Sequence, residues 1–175
     1  EGFIDAHNWL FTARGIPVVY QGSEFAFMRG TAEHAGNRNF IGQTLLNEQR
    51  ENPIRQSLKA IAEVRKTTPA LQRGLQYNLA MEGNQAMFYR VLVENGNTQI
   101  ALVMLNKGDA SVTMSADEFV EEGQWQEQLT GNTTATQNGT LASTVPAHSV
   151  RVFVRNKPIS NGAFTRALLN QMQRQ

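Results

Sequence analysis

The sequence predicts two architectures in succession: an α/β unit built on one short strand between helices, then an antiparallel β-sandwich of Greek-key type. Three observations carry this. Residues 16–20 (Ile-Pro-Val-Val-Tyr) are an apolar run without polar alternation, bracketed by Gly15 and Gly22, as expected of a strand covered by helices on both faces. Segments 3–14 and 52–66 flank it with apolar residues at helical spacing. From residue 75 onward, short apolar runs alternate with Gly/Asn turns, and no helix is expected before the tail.

Composition narrows the class of protein. The chain has 175 residues, 41% apolar and 18% charged, the profile of a folded soluble protein rather than a disordered one. Sixteen basic against fifteen acidic side chains leave a formal charge of +1, which gives no electrostatic case for nucleic acid or an anionic membrane. No run approaches the roughly 18 apolar residues of a membrane span, and no signal peptide is visible. With no cysteine, disulfides, thiolate metal sites and a cysteine nucleophile are excluded, and the compartment is left open. Because the chain opens on Glu1 inside a helical pattern, it is expected to be a piece of something longer.

In chain order, Phe3, Ala6, Leu10 and Phe11 set the stripe of the first helix, with Arg14 in its last turn and Gly15 as a left-handed stop. The polar group Asp5, His7 and Asn8 reads as solvated positions on that helix rather than a catalytic cluster. Strand 16–20 follows almost without a loop. Pro17, having no N–H, fits only at its start, while Gly22 turns the chain at the carboxyl end and Glu24 follows. In α/β folds that end collects binding and catalytic groups.

Residues 25–47 then form a long polar loop holding Arg29, Glu33, His34, Asn37 and Arg38 among Phe25, Phe27, Met28 and Phe40. A loop of about twenty residues is longer than a compact domain needs. Charged groups beside aromatic rings suit a sugar, whose hydroxyls want planar partners and whose C–H faces want apolar ones. An ordered surface loop with Arg38 in an ion pair explains the same composition. Asn52-Pro53 caps the next helix, and Thr67-Thr68-Pro69 ends it.

The expected strands are 75–81, 86–93, 99–106, 110–114, 125–129, 140–145 and 149–154. The first three are joined by hairpins at Glu82-Gly83-Asn84-Gln85 and Glu94-Asn95-Gly96-Asn97. Residues 116–122 read as an acidic loop or helical turn, with Glu121 and Glu122 a solvated edge and His148 a turn residue. Residues 157–175 are a tail whose Phe164, Leu168 and Met172 suggest a helix starting near Ser160 or Asn161. The sequons at Asn132 and Asn138 fall in expected turns and carry no weight alone.

The order of these pieces, GIPVVYQGSE, a loop closing on Asn37-Arg38, the helix IRQSLKAIAEVRKTTPALQRG and a sandwich ending in PAHSVRVFV, resembles the carboxyl end of the α-amylase family of glycoside hydrolases over residues 3–155. The resemblance implies that residues 1–74 are the end of a (β/α)8 catalytic barrel, that is, its last strand and helices. Residues 75–156 would be the C-terminal sandwich domain. It also implies a retaining enzyme acting on α-glucans, by hydrolysis or transfer. That family's three catalytic carboxylates lie on earlier barrel strands, so no catalytic residue is expected in this chain, which alone should be inactive. Asp5, inside the first helix, does not supply one.

By the same resemblance Glu24 and Gly22 are structural residues beside an active site, and Arg38 contacts substrate. His34, with Glu33 adjacent, stands where the family has an aspartate four residues before that arginine. These three are the expected substrate-binding residues. No metal ligand or cofactor is expected in the chain, calcium being a matter for the parent enzyme. The expected partners are an α-glucan and the remainder of the barrel, with self-association of the chain if that remainder is missing. The competing reading is a non-catalytic carbohydrate-binding module built on the sandwich, with Trp125 and Tyr77 as stacking candidates.

Overall fold

The computed structural model describes residues 1–30 and 36–172. Helix α1 (Gly2–Thr12) is followed by a run without regular structure, a 3-10 turn at Ser23–Phe25 and a short helix α2 (Gln43–Glu48). Helices α3 (Pro53–Thr67) and α4 (Pro69–Arg73) follow, then β1 (Leu75–Glu82), β2 (Gln85–Glu94), β3 (Asn97–Asn106), β4 (Val112–Ala116), β5 (Gln124–Glu127), β6 (Thr133–Ala135), β7 (Leu141–Val145) and β8 (Ser149–Arg155). Helix α5 (Gly162–Met172) closes the order. None of the described helices is long and apolar enough to cross a membrane.

All strand pairs are antiparallel, in a six-stranded sheet ordered β1-β2-β3-β8-β5-β6 and a two-stranded sheet β4-β7. The meander β1-β2-β3 follows from its turns. Between Glu94 and Asn97, Asn95 and Gly96 both have positive φ, +52° and +77°, the type I′ geometry that matches strand twist. After the excursion through β4 to β7, β8 returns beside β3 rather than β1.

Alternation along β2 and β3 builds two cores. Tyr89, Val91, Ile100, Leu102 and Met104 face Trp125, Leu141, Phe164 and Leu168, which come from the smaller sheet, β5 and α5. Phe88, Ala101, Val103 and Leu105 face Ile61, Val64, Ala70 and Leu71 of α3 and α4. The central sheet is therefore covered by strands and α5 on one side and by helices on the other. Each fully buried large apolar side chain contributes roughly 1.5–3 kcal/mol.

Helix α3 forms as its sequence dictates. The Asn52 side chain accepts from the Ile54 N–H at 2.9 Å, Pro53 occupies the first turn, and the apolar stripe buries Ile61 and Val64. The tail helix packs on the sandwich through Phe164 and Leu168, capped by Asn161 Oδ1, which accepts from the Ala163 N–H at 2.9 Å.

Several expectations are corrected. Residues 16–20 form no strand and belong to no sheet, with Ile16 88% and Val18 78% exposed. A strand buries both faces only with neighbours that pair its backbone and cover its side chains, and among the described residues no strand lies beside the run. The loop 25–47 contains α2, and β6 escaped the sequence because two threonines and an alanine carry no apolar alternation. His7 and Asn8 are buried under α1 instead of solvated, and Asp5 is bound rather than free. Glu121, expected at a wet edge, is buried and accepts from both the N–H and the hydroxyl of Ser160 and from the Asn161 N–H. Glu122 accepts from Thr136 Oγ1 and the Gly139 N–H. The stacking candidate Trp125 is wholly inside the core, its indole N–H donating to the Glu121 carbonyl at 2.9 Å.

Candidate functional site

The segment that carries the expected site residues begins where α1 ends, and two distant arginines fix that end. Arg65 of α3 donates to the carbonyls of Phe11 at 3.0 Å, Ala13 at 3.3 Å and Gly15. Arg90 of β2, fully buried, donates to Thr12 O at 2.7 Å and Gly74 O at 3.0 Å. Cations are favoured there because the last helical carbonyls lack backbone donors and carry partial negative charge. Burial, helped by the neighbouring Arg65 and Arg14 charges, lowers the Arg90 pKa to about 10; burial also lowers that of Arg65. Both guanidinium groups remain charged at neutral pH. The local sequence pointed to Arg14 for this role; the residues that perform it lie dozens of positions away.

Past residues 16–20, Gly22 makes the bend. Its φ is +87°, and a Cβ there would sit 2.6 Å from Cβ of Phe27, so the position admits only glycine without strain. The Gly22 carbonyl accepts from the Phe27 N–H at 2.8 Å. Glu24, half-buried in the 3-10 turn, lies near His7 of α1. Burial lowers the His7 pKa, with the Glu24 charge opposing it. His7 Nδ1 is buried and has no hydrogen-bond partner among the described residues.

Arg29 is tied to residues 36–39. The Arg29 N–H donates to Gly36 O at 3.0 Å, and Asn39 Nδ2 donates to Arg29 O at 2.8 Å. A side chain on Gly36 would run into Met28. Arg38 stands exposed just beyond this tie, between Asn37 and Asn39, and has no ion-pair partner among the described residues. The expected contacts Glu33 and His34 lie outside the described residues.

A cleft of about 470 Å³ opens elsewhere, between α1, the β1–β2 turn and the end of β3. Ala6, Trp9, Met81 and Leu105 give it an apolar floor, with Asp5 and Lys107 among its polar groups. Nothing in the sequence brought these residues together. Glu1, Asp109 and His148 hold ligand-type atoms within 4.8 Å of one another, but the His148 ring is already engaged by carboxylates through both nitrogens, so the group is an ion-pair cluster.

The relatives and structural neighbours that match this arrangement of helices and antiparallel sheets are α-amylase family enzymes, matched in their C-terminal region. The chain is 28% identical over 153 residues to a Beta/alpha-amylase of Paenibacillus polymyxa, covering 86% of this chain and 12% of that protein. It is 26% identical over 133 residues to a cyclomaltodextrin glucanotransferase of Klebsiella oxytoca, covering 73% of this chain and 19% of that one. In fold it matches the crystal structure of an Anoxybacillus α-amylase with a TM-score of 0.72 at 21% identity, over 91% of this chain and 33% of that one. No family model matches. The chain thus spans less than a fifth of the length of either curated relative.

Proposed function

We propose that the chain forms the C-terminal portion of an α-amylase-type glycoside hydrolase or transglycosylase that acts on α-glucans by the retaining route. The observation that carries this reading is the run 16–20. It is apolar, it lies outside every sheet, and it is anchored at its start by Arg65 on Gly15 and at its end by the Gly22 bend, yet Ile16, Val18 and Tyr20 are exposed. An apolar segment fixed at both ends with its side chains open is what a barrel strand would be without the neighbouring strands of another segment. On this reading those other strands also bear the two carboxylates, about 5 Å apart, that retention requires, and this chain contributes none.

Arg38 would then meet glucose units, its planar fork matching paired hydroxyls, with Glu33 and His34 beside it. Glu24 and Gly22 shape the strand end without touching the reacting atoms. Calcium, where such an enzyme binds it, is assigned no ligand in this chain. The carbohydrate-binding-module reading loses support from the burial of Trp125 and from Tyr77, whose ring packs on Phe119 and Phe164.

The test is kinetic. In the enzyme carrying the complete barrel, Arg38→Ala is expected to raise KM for maltooligosaccharides about tenfold, or about 1.4 kcal/mol, with kcat little changed. The 175-residue chain alone is expected to release no reducing sugar from maltodextrin. An unchanged KM removes Arg38 from the substrate site, and turnover by the chain alone refutes the division of labour.

A further inference from the structure

His148 sits in the turn between β7 and β8 with φ +48°, and its backbone N–H donates to Gly108 O at 3.3 Å. Its ring lies between two elements far apart in sequence. Nδ1 is 2.9 Å from Asp5 Oδ2 on α1, and Nε2 is 3.0 Å from Asp109 Oδ1 on the β3–β4 turn. Glu1 Oε2, also from α1, is 3.9 Å from Nε2. A neutral imidazole has only one N–H, so either neutral tautomer would turn a ring lone pair toward a carboxylate. Only the imidazolium donates to both sides.

The two arms are unequal. The Asp5 and His148 side chains are 19% and 18% exposed, whereas Asp109 is 97% exposed. Exposed ion pairs contribute little, so the working contact is Asp5 with His148, which joins the first helix to the start of β8. Lys107 is the cation on the β3–β4 turn and lines the cleft beside Asp5. On β8 the nearest charge, Arg151, turns to Glu127 at 3.7 Å.

We propose that His148 is a proton-operated latch that fastens α1 to the sandwich while its ring is charged and loosens α1 when the ring is neutral. The Asp5 hydrogen bond, and after it the Asp109 bond and the Asp5 and Glu1 charges, raise the ring's pKa above its ordinary value, with burial opposing. A raised folded-state pKa gives stabilisation that is fully present below the ordinary histidine value, about 6.5. That stabilisation is lost as pH climbs through the raised value. The latch is independent of the enzymic reading, because it concerns how the helix is held and not what the site binds.

The experiment follows the imidazole ¹⁵N resonances of the protein from pH 5 to 9, together with hydrogen exchange of the α1 amides corrected for intrinsic base catalysis. His148 is expected to titrate above the ordinary value, and Asp5→Asn is expected to lower its midpoint more than Asp109→Asn does. Protection of α1 is expected to fall severalfold across the same pH interval. His148→Asn is expected to abolish that fall; asparagine tolerates the left-handed backbone and does not titrate. A midpoint at or below the ordinary value, or the same pH profile in His148→Asn, overturns the latch. So does displacement of the ring proton by micromolar zinc at neutral pH, which would make the cluster a metal site instead.

Discussion

The strand β2 and the run 16–20 are both rich in β-branched and aromatic residues, and their environments are opposite. β2 lies between β1 and β3 with its register unbroken against β3 from Gln85↔Asn106 to Glu94↔Asn97, and Phe88, Tyr89 and Arg90 have no exposed surface. Residues 16–20 have no ladder, and Ile16, Val18 and Tyr20 are exposed. Sequence pattern specifies which face of a strand is apolar; burial depends on whether something lies against that face. The hairpin turns bring β2 both of its partner strands from the segments immediately before and after it. The run 16–20 has no such local supply.

The comparison is broken most severely at Phe88. Its ring is enclosed between the helices and the sheet and meets Trp9 edge-on, with centroids 5.7 Å apart. Phe88→Ala is expected to cost about 4 kcal/mol, lowering the thermal unfolding midpoint by roughly 8–16 °C for a domain of this size. A loss near the size expected for a surface position would mean that the sheet is not the stabilising centre.

Arg90 joins the two regions, since it sits on β2 and holds the carbonyl of Thr12 at the end of α1, just before the run. Arg90→Ala strips donors from two buried carbonyls and is expected to cost about 3 kcal/mol, read from urea unfolding. Arg90→Lys is expected to recover only part of it, because one ammonium cannot span Thr12 O and Gly74 O as the guanidinium fork does. Full rescue by lysine would show that charge, and not the two-point geometry, secures the helix end.

Legibility in the sequence follows the same division between local and distant causes. The Asn52-Pro53 cap, the Asn95-Gly96 turn and the Asn161 start of the tail helix were readable because each is a contact within a few residues. Arg65 and Arg90 on the end of α1, Glu121 on Ser160, and His148 on Asp5 were not, because each joins segments 39 or more positions apart. Of these, Asp5 and Glu121 looked solvated because nothing near them in sequence was a partner. Of the candidate site, the turn at Gly22 was legible from the glycine alone. The tie of Arg29 to Gly36 that presents Arg38 depends on backbone geometry that composition does not record.

The smallest expected effect bears most directly on the proposed barrel strand. Val18 is 78% exposed, so Val18→Ser in the isolated chain is expected to change unfolding free energy by less than about 0.5 kcal/mol, as exposed positions do. In the enzyme with its barrel complete, the same side chain would be covered. The substitution would then lose the transfer energy of the buried valine and bury a hydroxyl as well, about 2 kcal/mol or more, visible as a shorter half-life of activity on heating. A cost above about 1 kcal/mol in the isolated chain would mean that residues 16–20 already pack within it. The exposed run would then no longer argue for missing strands, and the enzymic reading would lose the observation it stands on.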